Sequence, residues 1–288
     1  MGLSSSKIAP ISSLNITTIK IMSYNVEWGF LTLPTDITHD ACGHNLPHTQ
    51  KAQEEHLKLI SKNIGLINPD ICFLQEMGSE EAVKYVSTCI KTYFNINYSF
   101  FYSHIGTGQQ GIGLLIRNNF TEFCKVERIP NFPLDRALGV VYAENCKTYK
   151  FVGVHLKSLC DDKTEKDTQE QLDQLQAANK WCGETENSII CGDFNNSSSS
   201  SPIQKMTDYG YTDIYYKYCI TNITGNNNTE FYKHGDKESG SRIDYMFSKT
   251  LTPLSFHIIN VDREAQKPQS DSRGETSDHL PICGIFKL

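Results

Sequence analysis

With 288 residues, 39% of them hydrophobic and 21% charged, the chain has the composition of a globular protein with a substantial core. No run approaches the ~18 consecutive apolar residues of a membrane span, and the N-terminal residues lack the apolar block of a secretory signal. The net charge of −6 argues against a broad basic surface that grips long duplex DNA by counterion release, yet leaves room for an acidic nuclease site with a basic rim.

In chain order, the opening Met-Gly-Leu-Ser-Ser-Ser-Lys fits N-myristoylation of Gly2, which would give weak, reversible membrane attachment. It also fits an unmodified flexible tail over residues 1–17. From Thr18 to Asn25 the residues alternate with the period of two of a strand. Leu57, Ile60, Ile64 and Ile67 then keep helical spacing until Asn68-Pro69-Asp70 stops them. A buried strand follows at Ile71–Leu74, and Ala82, Val83, Val86 and Ile90 make the apolar face of a second helix. Strands are expected at Tyr98–Tyr102, Ile112–Arg117, Gly139–Ala143 and Tyr149–Leu156. Leu172, Leu175 and Ala178 mark a polar-faced helix before a strand at Ser188–Gly192. Ile243–Phe247, Ser255–Val261 and Ile282–Phe286 complete the set, while Ser197–Ser201 and Asn226–Asn228 read as loops. Neither a repeat nor a linker interrupts the alternation, so residues 18–288 read as one α/β domain, expected to be monomeric. The ten cysteines include no CxxC pair, and Cys72, Cys191 and Cys283 lie in apolar runs. They suit a reduced, cytoplasmic protein, with nuclear or membrane-associated settings compatible and secretion not expected.

Polar residues collect where these strands end. Asn25 and Glu27 close the first strand, and Gln75-Glu76 follow the second. His155 and Lys157 lie at the end of Tyr149–Leu156, and Cys191-Gly-Asp-Phe-Asn-Asn196 closes Ser188–Gly192. The last of these fits a sharp turn; it also places Asp193 and Asn195 on one face of an extended stretch. Asp244 sits among apolar neighbours, and Asp278-His279 stand at the mouth of the final strand. Each has an ordinary reading alone: a turn, a solvated cap, an ion pair with Arg242, a core histidine. Together they are hard oxygen ligands plus two histidines without cysteine, a set that suits Mg²⁺ or Mn²⁺ better than zinc. Ligands in open α/β sheets gather at such strand ends.

The motifs SYNVEW, FLQE, GVHLKS, GDFNN, RIDYMF and SDHLPI occur in the order found in the endonuclease/exonuclease/phosphatase superfamily, which the chain resembles from Asn25 to its C-terminus. The resemblance implies a four-layer α/β sandwich, two mixed β-sheets packed face to face with helices outside. It implies metal ligation by Asn25, Glu76 and Asp278, and catalytic roles for His155, Asp193, Asn195, Asp244 and His279. Arg136 lies where many members carry a substrate-side arginine. Lys157, beside His155, and Arg273, in the 262–277 loop that enters just before Asp278, are further substrate-binding candidates.

Two segments lie outside the pattern. His39, Cys42, His44 and His48 share one loop, but their spacing fits no standard zinc motif and suits a substrate-side loop with incidental histidines. The charged stretch from His155 to Trp181 reads as a solvated helix over a sheet. Tyr211 and Tyr215–Tyr218 fit base stacking or core and rim positions. The expected activity is a Mg²⁺-dependent phosphodiesterase acting on nucleic acid. The alternative is a phosphatase or phospholipase-like enzyme on a soluble or lipid phosphate, which the acidic charge and a myristoylated Gly2 would suit. A non-catalytic binding module would lack at least one of Glu76, Asp193 and His279, and all are present.

Overall fold

A computed structural model describes residues 16–32, 49–104, 110–144, 146–158, 165–183, 187–215, 219–221, 228–234, 237–261 and 277–288. Gly2, the His39–His48 loop and Arg273 lie outside them. The chain begins with β1 (Thr18–Gly29), α1 (Gln50–Ile67), β2 (Ile71–Met77) and α2 (Glu80–Phe94). Then come β3 (Tyr98–Ser103), β4 (Gly111–Arg117), the single turn α3 (Asn118–Thr121), β5 (Cys124–Arg128), β6 (Ala137–Glu144) and β7 (Lys147–His155). Next are α4 (Glu165–Cys182), β8 (Ser188–Asp193), α5 (Ser201–Asp208), β9 (Thr212–Asp213) and β10 (Cys219–Thr221). The final elements are β11 (Glu230–His234), β12 (Lys237–Ser241), β13 (Asp244–Lys249), β14 (Thr252–Ile258) and β15 (Ile282–Lys287).

The helices stop where the sequence says they should. Thr49 caps α1 by accepting the Ala52 N–H at 3.1 Å, and Asn68 ends it in the left-handed conformation that asparagine tolerates. Ser79 and Asn95 do the same for α2.

Two mixed sheets form, with strand orders β10-β14-β15-β1-β2-β4-β3 and β5-β6-β7-β8-β13-β9, and β11-β12 stand apart as a ribbon. Strand periodicity sorts the side chains into layers. Ile19 and Ile21 of β1, Ile71 and Phe73 of β2, Phe151 of β7, Ile189 and Cys191 of β8 and Met246 of β13 meet in the core between the sheets. The alternate residues face outward. Met22, Tyr24, Cys72 and Leu74 pack under α1 and α2, while Val152, Val154 and Ile190 pack under α4 and α5. The expected four-layer sandwich is therefore present.

Several boundaries differ from the sequence reading. β1 runs on through a bulge at Glu27-Trp28, both left-handed, before pairing resumes at Gly29. β14 stops at Ile258 rather than Val261, and Ser201 opens α5 instead of closing a loop. Tyr211 is a core residue packed with Phe194, Tyr245 and Phe247, which removes it as a stacking surface, and Tyr216–Tyr218 lie outside the described residues. Cys72, Cys191 and Cys283 are free and buried, as their apolar surroundings implied. No helix among the described residues is long and apolar enough to cross a membrane.

Candidate active site

The site forms where the inter-sheet rows of apolar side chains run out. On β7, β8 and β13 the residues of inward parity end in His155, Asp193 and Asp244. Register brings them side by side: His155 lies opposite Asp193 in the parallel β7–β8 pair, and Asp244 opposite Asp193 in the antiparallel β8–β13 pair. Asn25 ends the inward row of β1 in the facing sheet. Glu76 has the wrong parity, but its backbone is left-handed at φ 63°, which breaks the alternation. Its side chain meets that of Asn25.

The contacts are close. Asn25 Nδ2 donates to Asp193 Oδ2 at 2.9 Å and to Glu76 Oε1 at 3.2 Å, bridging the two sheets, while its Oδ1 accepts the Glu27 N–H at 3.0 Å. Glu76 Oε2 accepts from Trp28 N at 3.1 Å and Gln110 Nε2 at 2.7 Å. Two imidazoles approach Asp193 Oδ2, His155 Nε2 at 3.6 Å and His279 Nε2 at 3.9 Å. His279 Nδ1 is 2.8 Å from Asp244 Oδ2, and its Nε2 is 3.7 Å from Asp278 Oδ1. Ser277 ties this last segment down by donating to the Asn25 carbonyl at 2.9 Å.

Remaining candidates lie around this centre. The Asn195 N–H donates to Asp193 Oδ1 at 2.7 Å, and its side-chain amide donates to the Leu156 carbonyl at 3.1 Å. The Arg136 carbonyl accepts from the His155 N–H, and its guanidinium acts on that imidazole electrostatically. Lys157 is held through its backbone by Gln174 and Gln171 of α4. Sequence reasoning passed over Gln110, Thr229 and Glu230. Thr229 Oγ1 accepts from both Ile243 N and Asp244 N, at 3.1 and 3.0 Å. Glu230 bridges to His279 through the backbone, and Glu230, Asp278 and His279 bring one ligand atom each within 4.8 Å of one another.

The electrostatics follow from crowding acids in a site largely closed to water. Burial first, then repulsion from Asp244 and Glu230, pushes Asp193 up to about 8 against the attraction of His279. Burial, Glu27, Glu76 and Glu230 likewise hold Asp278 well above the usual carboxylate range. Burial opposes a charge on His279, but Asp244, Asp278 and Asp193 outweigh it and hold the imidazole well above its ordinary value. His155 goes the other way: burial, Arg136 and His279 hold it neutral. Glu27, Glu76, Asp193, Glu230 and Asp278 thus crowd together with oxygen atoms that a hard divalent cation would satisfy, so the residues present fit Mg²⁺ or Mn²⁺.

Solved structures share the fold at low identity. ANGEL2, described as a 2′,3′-cyclic phosphatase and bound to adenosine-2′,3′-vanadate, is 16% identical over 96% of this chain and 97% of its own, with a TM-score of 0.64. An endonuclease/exonuclease/phosphatase from Beutenbergia cavernae DSM 12333 is 15% identical over 94% of this chain and 72% of its own, at 0.63. TDP2 from D. rerio with single-strand DNA product is 19% identical over 94% of this chain and 99% of its own, at 0.58. No curated protein matches the sequence. The family description "Endonuclease/Exonuclease/phosphatase family" matches residues 22–279, a span that takes in every site segment from Asn25 to His279, and the chain belongs to that family.

Proposed function

We propose that the chain is a Mg²⁺-dependent phosphodiesterase that hydrolyses nucleic-acid phosphodiester bonds by in-line attack of water. The observation that carries this reading is the meeting of Asn25, Glu76, His155, Asp193, Asp244 and His279, drawn from both sheets, around one buried carboxylate. A phosphodiester resists hydroxide because its oxygens are already negative and more charge builds as water attacks.

The roles follow from the environment of each group. Asp193, with a pKa pushed up to about 8, is matched to taking a proton from water near neutral pH. Asp244 fixes the ring of His279 through Nδ1, so that Nε2–H faces Asp193 and the phosphate. Charged His279 binds the phosphoryl oxygens, and Asn195 offers its remaining amide N–H to them. Neutral His155 serves the leaving oxygen by hydrogen bond or proton transfer. Arg136, Lys157 and Arg273 supply the basic rim. Asn25, Glu76 and Asp278 would hold the cation, which supplies Lewis-acid stabilisation of the phosphoryl charge when bound.

A panel assay with Mg²⁺ tests the assignment, offering single- and double-stranded DNA, abasic DNA, RNA, 5′-tyrosyl DNA, and inositol and sphingolipid phosphates. Asp193→Asn and His279→Ala are expected to abolish turnover while retaining cooperative unfolding. Retention of more than about a tenth of the activity by either variant would refute its role, since a proton-transfer group contributes at least about a hundredfold. A small cyclic phosphate belongs in the panel, because the ANGEL2 likeness favours a second reading in which the substrate is a soluble phosphate ester.

A further inference from the structure

Trp28 is the one large aromatic side chain, among the described residues, whose own backbone N–H binds a candidate metal-ligand carboxylate. Its surroundings are built rather than incidental. Glu27 and Trp28 are both left-handed, at φ 46° and 57°, a strained conformation for a bulky residue that persists only where its surroundings impose it. Three contacts do so here. The Trp28 N–H is bound by Glu76 Oε2, the Glu27 carboxylate accepts the Asp278 N–H at 3.1 Å, and the Trp28 carbonyl accepts the Phe30 N–H at 2.8 Å.

The indole is then buttressed from beneath. Its ring lies over that of Phe30, with centroids 5.5 Å apart and planes 25° from parallel. Phe30 is itself buried and lies so tightly on Gly78 that a methyl group there would come within 2.2 Å of the phenyl ring. Gly78 in turn donates to the Gly29 carbonyl at 2.9 Å. Trp28 stays partly exposed on top of this stack. A rigid, partly open aromatic face, fixed to the carboxylate that would hold the cation, meets the requirement for a stacking platform.

We propose that Trp28 is a substrate-binding residue that stacks on a nucleobase adjacent to the scissile phosphate, with Phe30 and Gly78 as its positioning residues. This rests on the nucleic-acid reading above and deepens it, because it makes a base, and not only a phosphate, part of what the site recognises. A stack of this kind tolerates any base and gives strand recognition without sequence readout.

Two measurements test it. The chain has two tryptophans, so a Trp181→Phe background leaves Trp28 as the single indole reporter. Titration with a dinucleotide is expected to quench its fluorescence, whereas a dimer of abasic tetrahydrofuran phosphates is not; equal quenching by both, or by neither, overturns the stack. In the Mg²⁺ assay, Trp28→Ala is expected to lose about tenfold to a hundredfold in kcat/KM on single-stranded DNA, chiefly through KM. The same variant should lose far less on an oligomer whose scissile bond is flanked by abasic units, and Trp28→Phe should recover most of the loss on single-stranded DNA. Equal losses on both substrates would mean that Trp28 serves only to hold Glu76. Base-dependent quenching without any hydrolysis would leave the platform standing and remove the phosphodiesterase reading.

Discussion

Asp193 is a buried carboxylate with four neighbours that care about its charge: two imidazoles, the Asn25 amide and Asp244 across the β8–β13 pair. Burial pushes its pKa up to about 8, above the ordinary carboxyl range. Asp278, which would hold the cation, is likewise held well above the ordinary range, and a cation there would favour the ionised form of both carboxyl groups, so its binding would release protons. Titrating Mg²⁺ at pH 7 in two buffers of different ionisation enthalpy should reveal proton release in wild type and less of it in Asp193→Asn and in Asp278→Asn. Affinity for Mg²⁺ should rise as pH increases through 8, the direction set by a carboxyl group whose pKa lies above its ordinary value. Heats that do not depend on the buffer would show that both carboxyl groups are already ionised before the cation arrives. The carboxylate, imidazole and amide members of this set were legible in the sequence because each ends a recognisable strand. Glu230 was not, since it lies in a polar tract beside Asn226–Asn228 and reaches the site only through its pairing with His279, 49 positions away in the chain.

At the scale of the element, the glycine in the GDFNN motif has a mechanical reason to be there. Gly192 lies opposite Val154 in the β7–β8 pair with φ 149°, and a methyl group on it would come within 1.9 Å of the Val154 carbonyl oxygen. That close approach sets His155 beside Asp193 one residue later. Gly192→Ala should therefore destabilise the fold by about 3 kcal/mol or more, read by urea denaturation, because backbone rather than a flexible side chain must move. A loss under about 1 kcal/mol would show that the two strands can part without harm. Long alternating or continuous apolar strands such as β1, β2, β7 and β8 were readable because both of their faces are buried in different layers. The edge strand β5 was not: Cys124–Arg128 puts only Cys124 and Val126 against the core, so its pattern is too short to register. The left-handed turns at Glu27, Trp28 and Glu76 also escaped, because none of these residue types announces positive φ.

Over the whole molecule, the site exists only when the two sheets face each other. Asn25 comes from one sheet and Asp193 from the other, and Ser277 reaches Asn25 across 252 positions of sequence. The final segment is not an appendage, for β15 lies inside its sheet between β14 and β1. Ending the chain at residue 276 should abolish the cooperative thermal transition followed by circular dichroism, because removing β15 strips both neighbouring strands of their ladder bonds. A sharp transition in that truncated chain would show that β14 and β1 can pair directly. The motif order revealed the family without revealing this dependence, which is a property of strand order and not of any local pattern.

That same pairing fixes how far the outermost residues of β1 and β15 lie from the site. Thr18 sits opposite Lys287, and β1 then climbs seven residues, about 23 Å at ~3.3 Å per residue, before it delivers Asn25. The Thr18–Lys287 pair thus lies at the far end of the strand from Asn25 and the site. A label placed on that pair would therefore sit well away from the site.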